Sequence, residues 1–194
     1  MNKLKKSDLS SLEEYNSNRE QFRDQVLTLK KDRKVQIGSN VTLLFENSDT
    51  IKYQVQEMLR IEKIFEQNGI EKGLATYNPL IPDGSNLKAT MLIEFPDEVI
   101  RKEKLGQLTG IEHKVWLQVG ENVRIFAIAD EDLEKGTGEK TSAVHFLRFE
   151  LSNLMVKDLQ SSATLFAGID HTNYNVRTQE IQKATSDSLN QDLV

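Results

Sequence analysis

The sequence contains no cysteine among its 194 residues. Disulfide bonds, thiolate catalysis and cysteine-ligated zinc or iron–sulfur sites are therefore excluded. No apolar run approaches the length of a membrane span, and the lysines near the start are not followed by the apolar segment of a secretory signal. These absences predict a protein of the bacterial cytoplasm.

Proline and glycine are scarce as well, with 3 and 10 residues. Two of the prolines, Pro79 and Pro82, lie in the stretch YNPLIPDGSN at residues 77–86. Each proline biases the residue before it to extended backbone, and Pro82 with Asp83 and Gly84 matches a tight turn. We therefore predict a stiff connection between a helical part and a strand part of the chain.

The side chains of this stretch leave two interpretations open. In the first, it is a plain connector whose apolar residues Leu80 and Ile81 dock on the core. In the second, its polar residues Asn78, Asp83 and Asn86 form a preset binding rim, because rigid loops often carry binding groups.

The charge balance excludes another class of function. The 25 basic and 30 acidic side chains give a net charge of -5, which argues against a general nucleic-acid or membrane surface. The cluster Lys30, Lys31, Arg33 and Lys34 ends a predicted helix, where cations complement the helix dipole, and an anion or RNA contact is the alternative. We expect no nucleic-acid partner and no membrane partner.

Hydrophobic periodicity predicts one α+β domain over residues 1–175, with a helical N-terminal third and a mixed, largely antiparallel sheet against which helices pack. The strongest helix is predicted over residues 50–67 and is closed by Gly69. The strands include a hairpin around residues 120–122, and an acidic loop is predicted at residues 130–141. Residues 176–194 read as a polar, weakly helical tail with a frayed end.

Two stretches of the sequence resemble each other. ATMLIEFPDEVI and AVHFLRFELSNLM both run from a strand through a glutamate to a helix start, which aligns Glu94 with Glu150. The match predicts two similar strand–helix–strand units in one sheet, and a chance similarity is the alternative.

Glu62 falls inside the apolar face of the predicted long helix, and Gln54 falls on the edge of that face. A carboxylate in an apolar stripe is costly unless it is paired or neutralised. Three interpretations follow for Glu62: an ion pair with Arg124 or Arg148, a ligand-binding or acid–base group with a raised pKa, or an exposed side chain on a rotated helix.

The chain has 3 histidines. His145 shares a strand face with Leu147 and Phe149 and reads as a hydrogen-bonded core or rim residue. His171 follows Asp170 at a strand end, a common place for functional groups, although turn capping explains it equally well. A metal site joining both histidines to Glu62 or Glu150 lacks the usual helical spacing, so we predict neither a metal site nor a cofactor.

No nucleophile elbow, dinucleotide fingerprint or kinase signature occurs in the sequence. GTGEKTS at residues 136–142 is not a P-loop, since Glu139 and not glycine precedes Lys140.

Trp116 alternates with its strand neighbours and so covers a second layer or lines a pocket. Any catalytic group is sought among Glu62, His145, His171, Arg148 and Tyr53. Any binding group is sought among Asn78, Asp83, Asn86, Gln54 and Trp116.

Several long segments together resemble a bacterial family catalogued as domain of unknown function 3501. They are TLLFENSDTIKYQVQEMLRIEKIFE, YNPLIPDGSNLKATMLIEFPD, VWLQVG, TSAVHFLRFEL and GIDHTNY, and the resemblance runs from about Leu9 to Tyr174. Family members often have tryptophan where this chain has Leu87. We therefore do not assign to Leu87 the ring-stacking role that a tryptophan could have at that position.

The resemblance brings no catalytic residue, because the family has no established activity. Its genes tend to lie beside genes for rubrerythrin-like proteins and Fe–S oxidoreductases, which implies an accessory role in peroxide or redox metabolism. The leading hypothesis is therefore a cytoplasmic binding or accessory protein with such partners. The alternative is an enzyme, in one version metal-dependent, with a Glu/His/Arg site at the sheet.

Overall fold

The computed structural model describes residues 3–129 and 140–194, so most of the predicted acidic loop at residues 130–141 and of GTGEKTS lies outside the described residues. The helices are α1 (Leu12–Lys31), α2 (Ser48–Ile61), α3 (Gln67–Tyr77), α4 (Glu98–Gln107), α5 (Asn153–Gln160) and α6 (Lys183–Asn190). The strands are β1 (Lys34–Ile37), β2 (Val41–Phe45), β3 (Asn86–Ile93), β4 (Val115–Val119), β5 (Ile125–Phe126), β6 (Val144–Glu150), β7 (Leu165–His171) and β8 (Tyr174–Arg177).

The named strands form two sheets, which confirms the α+β class. Sheet 1 has the order β1-β2-β3-β6 and sheet 2 the order β5-β4-β7-β8, and every pairing within them is antiparallel. The two similar stretches of sequence become the units β3-α4-β4 and β6-α5-β7. Each unit starts in sheet 1 and ends in sheet 2, so the chain builds two facing sheets and not one.

The two sheets are joined at both edges. On one side, the backbones of Ile128 and Arg148 exchange two hydrogen bonds of 2.9 Å. On the other side, the Tyr174 hydroxyl donates to the Ile37 carbonyl at 2.7 Å and accepts from the Asn40 amide at 3.1 Å. Gly38 has a φ of +68°, and a Cβ there would lie 2.5 Å from the Tyr174 hydroxyl oxygen, so this edge requires glycine.

The main core lies between the sheets, where alternate residues of the strands face each other. Leu87 is a fully buried member of this core. It is the position at which the family named above often has tryptophan. A second apolar cluster lies on the outer face of sheet 1, where α2 and α3 pack against half-buried Phe146. None of the described helices is long and apolar enough to cross a membrane.

The predicted long helix is wrong beyond residue 61. Helix α2 ends at Ile61, Glu62 caps it, and Lys63 adopts a left-handed backbone with a φ of 54°. A new helix, α3, then starts at Gln67 and contains Gly69, which was expected to close the first one. The side chain of Glu62 consequently lies in solvent and not in an apolar stripe.

The predicted frayed C-terminal end is also wrong. The last residues pack onto the main core through the apolar side chains of Ile181, Leu189 and Leu193. The Val194 amide donates to the Gly84 carbonyl at 2.9 Å, which joins the chain end to the proline-containing loop. The interpretation of that loop as a connector docked on the core agrees with the burial of Leu80 and Ile81.

One buried arginine holds the C-terminal segment in place. Arg33, which the sequence placed in a basic cluster at a helix end, is 1% exposed and forms an ion pair with equally buried Asp192. Its remaining N–H groups donate at 3.0 Å to the carbonyls of Phe45, Glu46 and Ser188. Burial raises the pKa of the Asp192 carboxyl, and the Arg33 guanidinium opposes that rise.

Replacing Asp192 by asparagine keeps the size of this side chain but leaves the Arg33 charge without its counterion. Since an unpaired buried charge is strongly unfavourable, we expect D192N to lose about 3 kcal/mol of unfolding free energy. Urea unfolding at neutral pH measures this loss. The matched control is D187N, because Asp187 pairs with Lys183 on the exposed side of α6. If D192N lost no more stability than D187N, the Arg33–Asp192 ion pair would not be what holds the C-terminal segment in place.

A second polar cluster joins α1 to α2. Arg19 donates to both carboxylate oxygens of Glu57 at 2.7 and 2.9 Å, and the Tyr15 hydroxyl donates at 2.8 Å. Hydrogen bonding to Arg19 lowers the pKa of Glu57 from 4.5 to about 2; burial opposes this shift, and Tyr15 and Arg60 add to it.

This cluster makes stability depend on pH. Because the pKa of Glu57 is lower in the folded chain, its contribution is present above about pH 4.5 and is lost as the pH falls towards about 2. We expect E57Q to be about 1–2 kcal/mol less stable than wild type at neutral pH, since solvent screens the partly exposed arginines. Urea unfolding across this pH range should show the difference shrinking with acid, whereas exposed E20Q on α1 should follow wild type throughout.

Candidate functional site

The catalytic candidates lie in different parts of the molecule. Glu62 is exposed at the end of α2 and has no ion pair among the described residues. Arg124, one of its two expected partners, pairs with Asp170 at 2.8 Å, and the other, Arg148, forms an ion pair with Glu150. Tyr53 lies on α2 and packs against Phe22 of α1, with 6.1 Å between the ring centroids.

The two histidines belong to different sheets. His145 is 2% exposed on the core side of β6, with Nε2 2.8 Å from the Thr141 hydroxyl and 3.1 Å from the Ser142 carbonyl. Arg148 is an odd number of residues away on the same strand and faces the opposite side. His171 ends β7, where Nε2 donates to the Thr109 carbonyl at 3.2 Å. None of the residues described forms a group of three metal-ligating side chains.

The polar residues of the proline-containing loop make local contacts. Asn78 forms two hydrogen bonds, of 2.8 and 3.0 Å, with the backbone of Leu4 and so attaches the N-terminal segment. Asp83 accepts from the Ser85 amide and hydroxyl and from the Asn86 side chain. Burial acts against them, but these hydrogen bonds lower the pKa of Asp83.

The loop also reaches one catalytic candidate. The Asn86 side-chain amide donates to Glu150 at 3.3 Å, and Glu150 in turn pairs with Arg148. Two binding candidates and one catalytic candidate therefore share a network at one end of sheet 1. Its members hold the turn against the sheet, which is what a rigid connector requires.

Gln54 lies at a small cavity of about 230 Å³ between sheet 1 and the helices. The carboxylate in this cavity, Glu46, already accepts hydrogen bonds from the hydroxyls of Thr50 and Thr90. A larger cavity of about 540 Å³ lies between the N-terminal segment, α2 and α3, and its walls include Leu59, Ile64 and Phe65. Its lining is mainly apolar, so it brings no set of reactive groups together.

Trp116 lies at the best organised group of side chains outside the core. It is fully buried, yet it belongs to neither apolar cluster of the fold. Its Nε1 donates to one carboxylate oxygen of Asp170 at 2.8 Å, and Arg124 donates to the other oxygen at 2.8 Å. The Arg124 guanidinium lies 4.0 Å from the centroid of the indole ring, so Arg124 covers the tryptophan.

The neighbouring strand makes room for the indole. Gly168 is the register partner of Trp116, and a Cβ there would lie 2.2 Å from indole Cζ2. The indole therefore lies against the backbone of β7 on one side and against Arg124 on the other. Only glycine at this position of the strand leaves that space.

A second arginine and aromatic pair lies beside the first. Arg177 on β8 is the other register partner of Gly168, and its guanidinium lies 4.6 Å from the centroid of the Phe166 ring. Arg124, Phe126 and Arg177 are exposed on this side of sheet 2, and Phe166 is half-buried. We call this surface the open face; its members are Trp116, Arg124, Phe126, Phe166, Gly168, Asp170 and Arg177.

The two arginines of the open face have N–H groups that make no hydrogen bond to the described part of the chain. Arg124 uses Nη1 for Asp170, and within residues 3–129 and 140–194 its other N–H groups meet no acceptor. Arg177 has neither an ion pair nor a hydrogen bond to the described part of the chain. The open face can therefore bind anionic groups without first breaking a strong internal pair at Arg177.

Sequence reasoning found Trp116 but missed Asp170, Phe166 and Arg177 as its neighbours. Residues 166, 168 and 170 alternate with the apolar residues of β7, and this alternation places them on the outer side of the sheet. That signal was present in the sequence. The pairing that brings β8 and the start of β5 beside them depends on strand register, which the sequence did not reveal.

Comparison with other proteins yields a family and a fold but no activity. The family model described as protein of unknown function (DUF3501) matches residues 3–193. The crystal structure of a novel protein of unknown function from Burkholderia pseudomallei K96243 is similar at 48% sequence identity, covers 100% of both chains and superposes with a TM-score of 0.95. No curated protein matches the sequence.

The role of Asp170 in holding Arg124 over Trp116 is testable. The indole and the guanidinium bind different oxygens of Asp170, and asparagine has an NH2 group in place of one of them, so in D170N one of the two donors faces another donor. We expect a loss of roughly 1 kcal/mol in urea unfolding and a red shift of the emission of Trp116, the single tryptophan. Exposed D24N on α1 is the control, and emission of D170N unchanged from wild type would show that Arg124 stays over the ring without Asp170.

Proposed function

Because the chain belongs to the DUF3501 family of proteins of unknown function, we propose its role from its own residues: it is a cytoplasmic binding protein that acts as an accessory to redox proteins. The observation that carries the binding role is the open face. There, the guanidinium groups of two exposed arginines lie over aromatic rings, 4.0 and 4.6 Å from the ring centroids, and have unused N–H groups. Rigid, preset donors on a sheet are typical of recognition surfaces, since little ordering is needed on binding.

The distribution of reactive side chains favours binding over catalysis. Catalytic acids and nucleophiles work when they lie within hydrogen-bond reach of each other and of one reacting atom. Here Glu62 is exposed at the end of α2, His145 is enclosed in the core and His171 caps a turn in the other sheet. A binding role requires no such convergence.

The redox part of the proposal comes from the family resemblance. Rubrerythrin-like proteins and Fe–S oxidoreductases are the partner classes that the resemblance implies. A chain without cysteine forms no disulfide and has no thiolate for electron or peroxide chemistry. In this proposal the partner performs the redox reaction, and the protein binds it and affects its assembly, delivery or turnover.

Affinity capture from the native host at its normal expression level tests this function. We expect a rubrerythrin-like protein or an Fe–S oxidoreductase to be enriched over a mock capture. The purified pair should then bind in calorimetry with a micromolar dissociation constant, on the order usual for transient redox complexes. Recovery of neither class, together with no binding between the purified proteins, would overturn the redox assignment.

A further inference from the structure

We infer that the open face of sheet 2 is the docking surface for an acidic segment of a partner protein, with Arg177 and Arg124 receiving its carboxylates. This inference deepens the accessory role proposed above and rests on it. It names both the surface and the chemistry of the partner, which neither the family nor the related crystal structure supplies.

The first support is the placement of the two guanidinium groups over aromatic rings. Arg124 is held between the Trp116 ring and Asp170, and Arg177 is held over Phe166. Stacking on an aromatic ring uses the flat side of a guanidinium and leaves its edge free. The edge carries the forked N–H groups, whose spacing matches the two oxygens of a carboxylate.

The second support is that the two groups lie side by side. Trp116, Gly168 and Arg177 are successive register partners across β4, β7 and β8. Neighbouring strands are about 4.8 Å apart, so this row spans about 10 Å. Because Arg124 covers Trp116 at one end of the row, two cations are presented at a spacing that neighbouring acidic side chains of one segment can reach.

The third support is charge complementarity. The chain as a whole carries a net charge of -5, yet the pair of Arg124 with Asp170 is the one ion pair that these two arginines make in the described structure. This surface is thus locally positive on an acidic molecule. A partner segment rich in aspartate or glutamate matches it, while the rest of the molecule repels acidic chains and so restricts where they bind.

The surroundings favour a protein segment over a nucleic acid. Phe126 is 46% exposed on the open face, and Val123 is 78% exposed in the adjoining hairpin turn. These side chains offer apolar contact next to the cations. A nucleic acid needs many phosphates neutralised, whereas this surface has only two arginines and also carries the Asp170 carboxylate.

The test uses the full chain and the emission of Trp116. A short glutamate-rich peptide containing one phenylalanine is titrated into the protein, and the same peptide with every glutamate replaced by glutamine is the ligand control. We expect the acidic peptide to change the Trp116 emission until the signal saturates. Carboxylates that bind Arg124 change the position or charge environment of the guanidinium that lies over the indole. Added salt should weaken the binding, and the glutamine peptide should not bind.

The main variant is R177Q, which removes one receiving group on an exposed side chain that makes no ion pair in the described structure. We expect the acidic peptide to bind R177Q roughly fivefold to tenfold more weakly. R124K keeps the charge but loses the planar stack, and it should weaken binding as well. The matched control is R23Q, which removes an exposed arginine on α1 and should bind like wild type.

Each outcome decides the docking proposal. Equal binding of the glutamine peptide, or equal binding of the acidic peptide to R177Q and R23Q, overturns it. A single-stranded oligonucleotide that binds more tightly than the peptide, or self-association that R177Q abolishes, also overturns it and assigns the face to nucleic acid or to a second copy.

The docking proposal and the redox function fail in different ways. If the native partner is captured equally by wild type and R177Q, the docking site lies elsewhere and the accessory function stands. If the acidic peptide binds as expected but no redox protein is captured, the site stands and the redox assignment fails.

Discussion

The buried ion pair between Arg33 and Asp192 is the constraint on which the arrangement of the chain depends. A guanidinium without water must satisfy its donors within the protein, and Arg33 does so with backbone carbonyls at the end of β2 and in α6. The pair joins the start of β1, the end of β2 and the C-terminal helix. The last residues are thereby fixed, which places Val194 against the proline-containing loop.

The two sheets differ in what covers their outer sides. Sheet 1 is covered by the layer of α2 and α3, whose apolar side chains form a cluster of their own. On sheet 2, the largest outward side chain, Trp116, is instead covered by Arg124. Two arginines of this fold therefore differ in their surroundings: Arg33 uses its donors inside the protein, whereas exposed Arg177 makes no hydrogen bond to the described part of the chain.

The sequence predicted those parts of the fold that depend on local pattern. Alternation and turn residues gave the α+β class, the hairpin after β4 and the two similar strand–helix–strand units. The sequence placed Glu62 inside a continuing helix, whereas the left-handed backbone at Lys63 ends that helix. Lysine is not a residue type that predicts a left-handed turn. The C-terminal helix read as a tail because several of its buried residues, Thr185, Ser188 and nearby Asp192, are polar. Ser188 and Asp192 are bound by Arg33, which is more than 150 residues away in the chain.

The candidate site follows the same division between local and distant information. Trp116 is recognisable in the sequence as the single tryptophan on a predicted strand. The position of its indole, however, depends on Gly168, which leaves space for the ring, and on Asp170, which binds both the indole and Arg124. Strand pairing brings these residues together from three separate segments. Because the hydrogen-bonded strands hold them in place, the docking that we propose there would lose little conformational entropy and would need no deep pocket.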